Sequence, residues 1–516
     1  MKTLDTTTGK KQIARAALIV MAAFMLSRVL GLAREMIISS QFGTSGQLDS
    51  YLAAFRIPDL LFQVIAGGAL GSALIPTFTA HLTRDDEAGA WRLASAIANL
   101  LLVFATVLAI LGILFAPLLV KHLVAPGFDP TRQAMTTQLM RYMLISAVLF
   151  GISGIVMSVL NSYQHFLLPA LAPAVYNLSI IVCALLFAQR LGVRSLAVGV
   201  VAGAALHLAI QVPQLLRQGM RYTPTLGLKD PSVYEVGRLM LPRALGLAIV
   251  QINFLVNAIL ASRLGVGSLA ALNYAWLLML LPQGIVAQGI ATAAFPTFSA
   301  LAAQHNVDEM RNVLSATLRA VFYISIPASV GLYILRVPLV QLLFQRGVFD
   351  AHSTDAVAWA LQFYAIALCA HAALEIVTRA FYALHDTATP VAVGVAAMIG
   401  NILLSLLLIG PLSYAGLALA NSLATITEVL ALLWIIRGRM NGLEDRTLGL
   451  SLVRILLATL GMAWVTAEVQ QALASYAAIV QVAIAVLAGG AVYLSLSVIL
   501  GSSEVRTLWG WVRHRA

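Results

Sequence analysis

Arg28-Val29-Leu30-Gly31-Leu32-Ala33, inside the first long apolar run, returns later as Arg243-Ala244-Leu245-Gly246-Leu247-Ala248. Pro76-Thr77-Phe78-Thr79-Ala80 returns as Pro296-Thr297-Phe298-Ser299-Ala300. Pro117-Leu118 with Gly127-Phe128-Asp129 is echoed by Pro338-Leu339 with Gly347-Val348-Phe349-Asp350. Matches in the same order at a spacing of about 220 residues indicate an internal duplication. The runs around these motifs are apolar, and that decides the fold class. Of the 516 residues, 60% are hydrophobic and 10% charged, against about 25% charged in soluble domains. Mean hydropathy is +0.90. So few charges cannot cover a soluble protein of this size, and disorder needs the opposite balance. The chain reads as an all-α polytopic membrane protein.

A spanning helix takes about 20 mostly apolar residues. By that measure about fourteen transmembrane helices are expected, centred near residues 26, 65, 104, 150, 178, 205, 250, 283, 325, 367, 400, 425, 458 and 487. The first carries Arg28 and has no small-residue cleavage site, so it reads as a span and not a signal peptide. Twelve spans fall into two six-helix lobes, residues 1–222 and 223–442, followed by two extra helices and a tail over 443–516. An even number of spans per repeat makes the copies parallel, a transporter architecture that works by alternating access.

Net charge is +11, but the bases stand singly between apolar runs. That suits an anionic membrane leaflet and argues against a nucleic-acid partner. With the N-terminus in the cytoplasm (Lys2, Lys10, Lys11, Arg15), the same side receives Arg84, Arg92, Arg217, Arg221, Lys229, Arg238, Arg311 and Arg319. It also receives Arg379, Arg437, Arg439, Arg446, Arg454, Arg506, Arg513 and Arg515. About 20 bases against about eight predict that both termini are cytoplasmic. Cys183 and Cys369 lie in apolar stretches, so neither a disulfide framework nor a cysteine metal site is expected.

Charge at bilayer depth is the sharpest functional signal. The first repeat places Arg28, Arg34 and Glu35 in its first span, and Asp49, Arg56 and Asp59 in or near its second. Three arginines facing lipid would cost about 8–10 kcal/mol, so a wet interior is expected around them. Asp49, Arg56 and Asp59 share a helix face, whereas Arg28 and Arg34 stand about 120° apart. Pro58 should kink the second span, and Gly67, Gly68 and Gly71 permit close helix approach. Arg243 keeps the first position in the second repeat. The stretch equivalent to Asp49–Asp59, Leu269 to Met279, carries no charge, and Gln251, Asn253, Asn257, Asn273, Gln283 and Gln288 supply its polarity. A cavity that is basic on one side and polar on the other suits a phosphate or carboxylate ligand. Glu375 and Arg379, one turn apart, read equally as a simple pair or as part of transport.

No phosphate-binding loop, paired-histidine metal motif or nucleophile–base set is present, so no enzyme activity and no cofactor is expected. Asp85-Asp86-Glu87 reads as an acidic helix N-terminus. Coupling to the membrane potential or to a cation stays open.

These residues resemble the MurJ (MviN) lipid II flippase family of the MOP exporter superfamily. The resemblance rests on Ser27-Arg28-Val29-Leu30-Gly31-Leu32-Ala33-Arg34-Glu35, Asp49, Ala54-Phe55-Arg56-Ile57-Pro58-Asp59, Gly68-Ala69, Pro76 and Ala125-Pro126-Gly127-Phe128. Phe381-Tyr382-Ala383-Leu384 with Asp386-Thr387 and Pro390 continues it. It implies export of undecaprenyl-diphosphate disaccharide-pentapeptide from the inner to the outer leaflet of a bacterial plasma membrane, with cell-wall synthesis proteins as candidate partners. It also implies that Arg28, Arg34 and Arg56 hold the diphosphate, with Asp49 as the matching acidic residue, and that the last two spans form a groove for the lipid tail. Asp59 and Arg243 complete the expected substrate-binding set. Many members carry a further arginine in the eighth span, where this chain has Trp276-Leu277, and often a basic residue where Phe62 stands. The alternatives are a flippase for another polyprenyl-linked glycan and a multidrug/cation antiporter of the superfamily, the latter disfavoured by a basic cavity. A metal-dependent polyprenyl-phosphate transferase would need a second acidic motif.

Overall fold

A computed structural model describes the backbone of residues 6–65, 68–502 and 504–505; the side chains of 6–18, 68, 69, 245, 249, 250, 285 and 286 lie outside what it describes. Of the positions singled out above, Lys2, Gly67, Arg506, Arg513 and Arg515 therefore lie outside the described residues, as do the side chains of Lys10, Lys11, Arg15, Gly68, Ala69 and Leu245. The described residues form helices and no strand.

Each of the fourteen expected centres falls within a helix or a helix pair. Eleven helices are long and apolar enough to cross a membrane, and thirteen when two bent pairs are each counted as one span. The count of fourteen is thus not reached among the described residues; α1 (Thr6–Phe42) holds the expected span near residue 26 and stands outside that count. The bent pairs are Ser268–Gly284 with Ala287–Ala303, at 42°, and Ala351–Ile366 with Leu368–Ala383, at 44°. Pro282 lies just before the first bend, where its ring removes a hydrogen bond and crowds the preceding turn.

Short polar signals start these helices. Asp86 accepts a bond from Gly89 N at 2.8 Å at the head of Glu87–Leu119, so the acidic run is a helix cap. Asp129, Asp230 and Asp350 cap Pro130–Ser162, Pro231–Ser262 and Ala351–Ile366 in the same way, the first two with proline in the first helical turn. A proline there loses no intrahelical bond.

Contacts divide the chain into two units. The first comprises Met1–Gly267 with Arg346–Val348, and the second Ser268–Gln345 with Phe349–Ala516. In the first unit, α2 (Gly46–Ile65) and α3 (Gly68–Thr83) make one span, followed by α4 (Glu87–Leu119), α5 (Pro130–Ser162), α6 (Leu167–Leu191), α7 (Arg194–Ala209), α8 (Val212–Arg217) and α9 (Pro231–Ser262). Helix α1 packs on α6, α2 on α5 and α9, and α3 on α5 and α9. Its core is built on Leu70, Leu74, Phe78, Trp91 and Tyr163, with Phe78 edge-on to Trp91 at 5.9 Å. Leu102, Phe104, Ile110, Leu114, Phe115 and Leu118 stand exposed along α4, as a lipid-facing helix requires.

The second unit holds α10 (Ser268–Ala303), α11 (Val307–Ile334), α12 (Arg336–Phe344), α13 (Ala351–Ile366), α14 (Leu368–Ala383), α15 (Ala388–Leu412) and α16 (Tyr414–Arg439). The extra pair, α17 (Asp445–Ala472) and α18 (Ala478–Ile499), packs on α11 and α12. Its seat is fixed by Tyr493, whose hydroxyl donates to Tyr323 O at 2.6 Å.

Candidate functional site

The charges of the first unit gather in two clusters. In the first, on α1, Arg34 Nη2 and Nε donate to Glu35 Oε1 at 2.5 and 3.1 Å, and Nη1 donates to Asn177 Oδ1 of α6 at 3.0 Å. Asn177 Nδ2 in turn donates to Ser27 O at 3.2 Å. Arg34 is half-buried and Glu35 buried. A guanidinium with fixed partners on both sides is held in one orientation before any ligand arrives.

The second cluster lies where α2 meets α9. Arg56 stands over the Phe254 ring, 5.8 Å from its centroid. Asp59 lies beside Arg56, with Gln63 and Gln251 bonding its carboxylate. Both Arg56 and Asp59 are half-buried, and Pro58 between them is buried inside α2. Tyr176 of α6 lies within electrostatic reach of Arg34, Glu35 and Asp59. Tyr51, buried on α2, is close to Arg34 and to Tyr176.

The structure thus joins Arg34 to α6 and Arg56 with Asp59 to α9. Asp49 is placed differently: it is 1% exposed and accepts from Gly267 N at 2.6 Å, so its carboxylate fixes the turn after α9. Gly267 has φ +88° and room there only for a hydrogen, because a Cβ would strike Thr44 O. Arg28 on α1 and Arg243 on α9 are exposed. Tyr51, Gln63, Tyr176 and Asn177 were missed by sequence reasoning. Tyr176-Asn177 was findable as a polar pair near the middle of the mostly apolar Leu167–Leu191.

In the second unit the place of the absent eighth-span arginine is aromatic. Trp276 packs edge-on to Tyr364 at 5.3 Å and to His371 at 5.4 Å. His371 Nε2 lies 3.4 Å from Thr425 Oγ1. Among the described residues no group of three or more His, Cys, Asp or Glu side chains is placed to hold a metal ion.

The chain can now be set beside known proteins. The family described as "Lipid II flippase MurJ" matches residues 38–487. A lipid II flippase MurJ of Burkholderia cenocepacia is 32% identical over 414 residues, covering 79% of this chain and 80% of that protein. A solved lipid II flippase MurJ in an inward closed conformation superposes with a TM-score of 0.79 at 25% identity, over 93% of this chain and 98% of that one. An inward-facing multidrug resistance MATE transporter of the MOP superfamily gives a TM-score of 0.68 at 15% identity, over 83% and 99%. That last likeness shows a shared fold alone. By the extent of the family match and the identity to a curated relative, the chain belongs to the lipid II flippase MurJ family.

Proposed function

We propose that this protein is a lipid II flippase, moving undecaprenyl-diphosphate-linked peptidoglycan precursor from the inner to the outer leaflet of the bacterial inner membrane. The observation that carries this reading is the fixed, half-buried Arg34 at the heart of a membrane-embedded charge cluster, in a chain of this family. A guanidinium held in place recognises a diphosphate at low orientational cost. In this reading Arg28, Arg34, Arg56 and Arg243 hold the diphosphate, Asp59 orients Arg56, and Asp49 anchors the turn that ends at Gly267. The repeats 1–222 and 223–442 act as rocking lobes, 443–516 supplies the helices for the lipid tail, and both termini are cytoplasmic.

Transport, not bond-making, is the activity, and the membrane potential can supply its drive. Moving one charge through the field is worth about 2.3 kcal/mol per 100 mV, so an outward-moving diphosphate with about two negative charges gains about 4–5 kcal/mol per 100 mV. The test is rescue of a bacterium depleted of its own lipid II flippase, with Arg28→Ala and Arg34→Ala beside the wild type at matched expression. Rescue by the wild type alone is expected. Membrane-inserted wild type that fails to rescue would refute the cargo.

A further inference from the structure

The pair Glu375–Arg379 on α14 has no part in the reading above. Arg34–Glu35, Arg437–Asp445 and Arg439–Asp386 are closed by hydrogen bonds at 2.5, 2.7 and 2.5 Å. Glu375 Oε2 and Arg379 Nη2 stand 3.7 Å apart, longer than a hydrogen bond. Arg319–Glu504 is also long, at 3.6 Å, but Glu504 is buried and takes the Ser451 hydroxyl at 2.9 Å. Glu375 and Arg379 are instead both half-buried. They open onto a cavity of about 490 Å³ that Phe295, Leu374, Thr378 and Tyr382 complete. Thr292 Oγ1 accepts from Arg379 Nη1 at 2.9 Å, which steadies the guanidinium. The volume is in the range of small-molecule sites.

The cavity therefore offers an anionic acceptor and a cationic donor side by side, together with the rings of Phe295 and Tyr382. A simple anion would be repelled by Glu375, and a simple cation by Arg379. The ligand that satisfies both carries an ammonium and an anionic oxygen a few ångströms apart. We propose that this cavity is a subsite for such a zwitterionic group, its ammonium on Glu375, its anionic oxygen on Arg379 and its carbon skeleton against Phe295 and Tyr382. Two sources carry that chemistry: the stem peptide of the lipid-linked precursor, and the headgroup of phosphatidylethanolamine. The first source rests on the flippase reading; the second does not.

The full-length protein in nanodiscs is titrated with undecaprenyl-diphosphate disaccharide carrying a stem peptide with a free amine, and with the same molecule acetylated at that amine. Both titrations are run in phosphatidylglycerol bilayers and again with phosphatidylethanolamine added. The wild type is expected to prefer the free-amine ligand about tenfold, the worth of one charge-assisted hydrogen bond, and Glu375→Gln to bring that ratio to about one. Arg379→Met, which keeps the length of the side chain, is expected to lower the ratio as well. A preference present in phosphatidylglycerol and lost on adding phosphatidylethanolamine shows the lipid headgroup competing for the subsite. Equal binding of both ligands by the wild type and Glu375→Gln in both bilayers overturns the subsite and leaves the flippase reading standing. No binding of either ligand by the wild type would instead count against that reading.

Discussion

The second span of the first repeat and the matching stretch of the second differ sharply in chemistry. In the first copy, α2 carries Asp49, Arg56 and Asp59 and packs against α5 and α9. In the second, the matching part of α10 is uncharged, and Trp276 packs edge-on to Tyr364 and His371. A charge at bilayer depth has to be held by partners, and α2 has them in Gln63, Gln251 and Phe254. The membrane-embedded charge is therefore uneven between the two copies, with Arg34, Arg56 and Asp59 on the first and an uncharged α10 in the second.

The strongest test of that asymmetry is Arg34→Ala. It removes the expected diphosphate anchor and leaves the buried Glu35 without its 2.5 Å partner. Breaking a buried pair on one side costs about 3–5 kcal/mol, so loss of both thermal stability and rescue is expected. The double variant Arg34→Ala/Glu35→Ala separates these effects: stability recovers in large part while rescue stays lost. If the double variant rescues growth, Arg34 serves the fold alone and the comparison loses its functional half.

Where the copies have stayed alike, the reason is steric. Gly127 presses on the backbone of Ser262 and Arg263, and Gly347 on Ser40 O, so neither has room for a Cβ. Gly347 also has φ +60°, a conformation that disfavours side chains, whereas Gly127 does not. Val348 N donates to Ser40 O at 2.9 Å beside it. Alanine at either position should destabilise by about 1–3 kcal/mol through overpacking, with Gly347→Ala the worse because backbone strain is added. Melting curves of the two purified variants would show the order, and a harmless Gly347→Ala would remove the steric account.

How much of this was legible follows from the range of each interaction. The helix centres were, because a membrane demands long apolar runs, and even the pair α2–α3 appeared as one span near residue 65. Arg34, Arg56 and Asp59 were legible because charge is rare at such depth. Their partners were not: Asn177 lies 143 residues from Arg34, and nothing in a sequence ties Gln251 to Asp59. The shared face of Asp49, Arg56 and Asp59 was read from spacing, yet Asp49 is spent on Gly267 N, a backbone contact that leaves no trace in composition. The bends of 42° and 44° were likewise hidden, since only the first has a proline beside it.

Placing a charge in the second copy gives the next effect. Trp276→Arg exchanges two ring contacts for a guanidinium in an aromatic nest. Each such contact is worth about 0.5–1.5 kcal/mol, and the charge adds its own desolvation, so a loss of about 2–3 kcal/mol is expected. Trp276→Phe, which keeps a ring, should lose about half as much. If Trp276→Arg proves as stable as the wild type in thermal unfolding, the aromatic nest is incidental, and the second copy tolerates an arginine there at no cost.

The smallest effect distinguishes a charge that binds from a charge that fastens. Asp386, in the turn between α14 and α15, accepts from Thr389 N at 2.9 Å, from Thr389 Oγ1 at 2.6 Å and from Arg439 Nη1 at 2.5 Å. These partners, the Thr389 hydroxyl foremost, hold its carboxyl down to about 2. A carboxyl lowered in the folded state contributes stability in full above its ordinary value near 4, and that contribution is lost as pH falls through about 2. Asp386→Asn should therefore lower the melting temperature slightly at pH 7, and by the same amount at pH 5. The gap to wild type should then close below about pH 4, as the wild-type carboxyl takes up its proton. A gap that persists unchanged to pH 2 would assign the effect to the shape of the turn. A gap that opens between pH 7 and 5 would require a group other than Asp386, whose carboxyl stays ionised over that range.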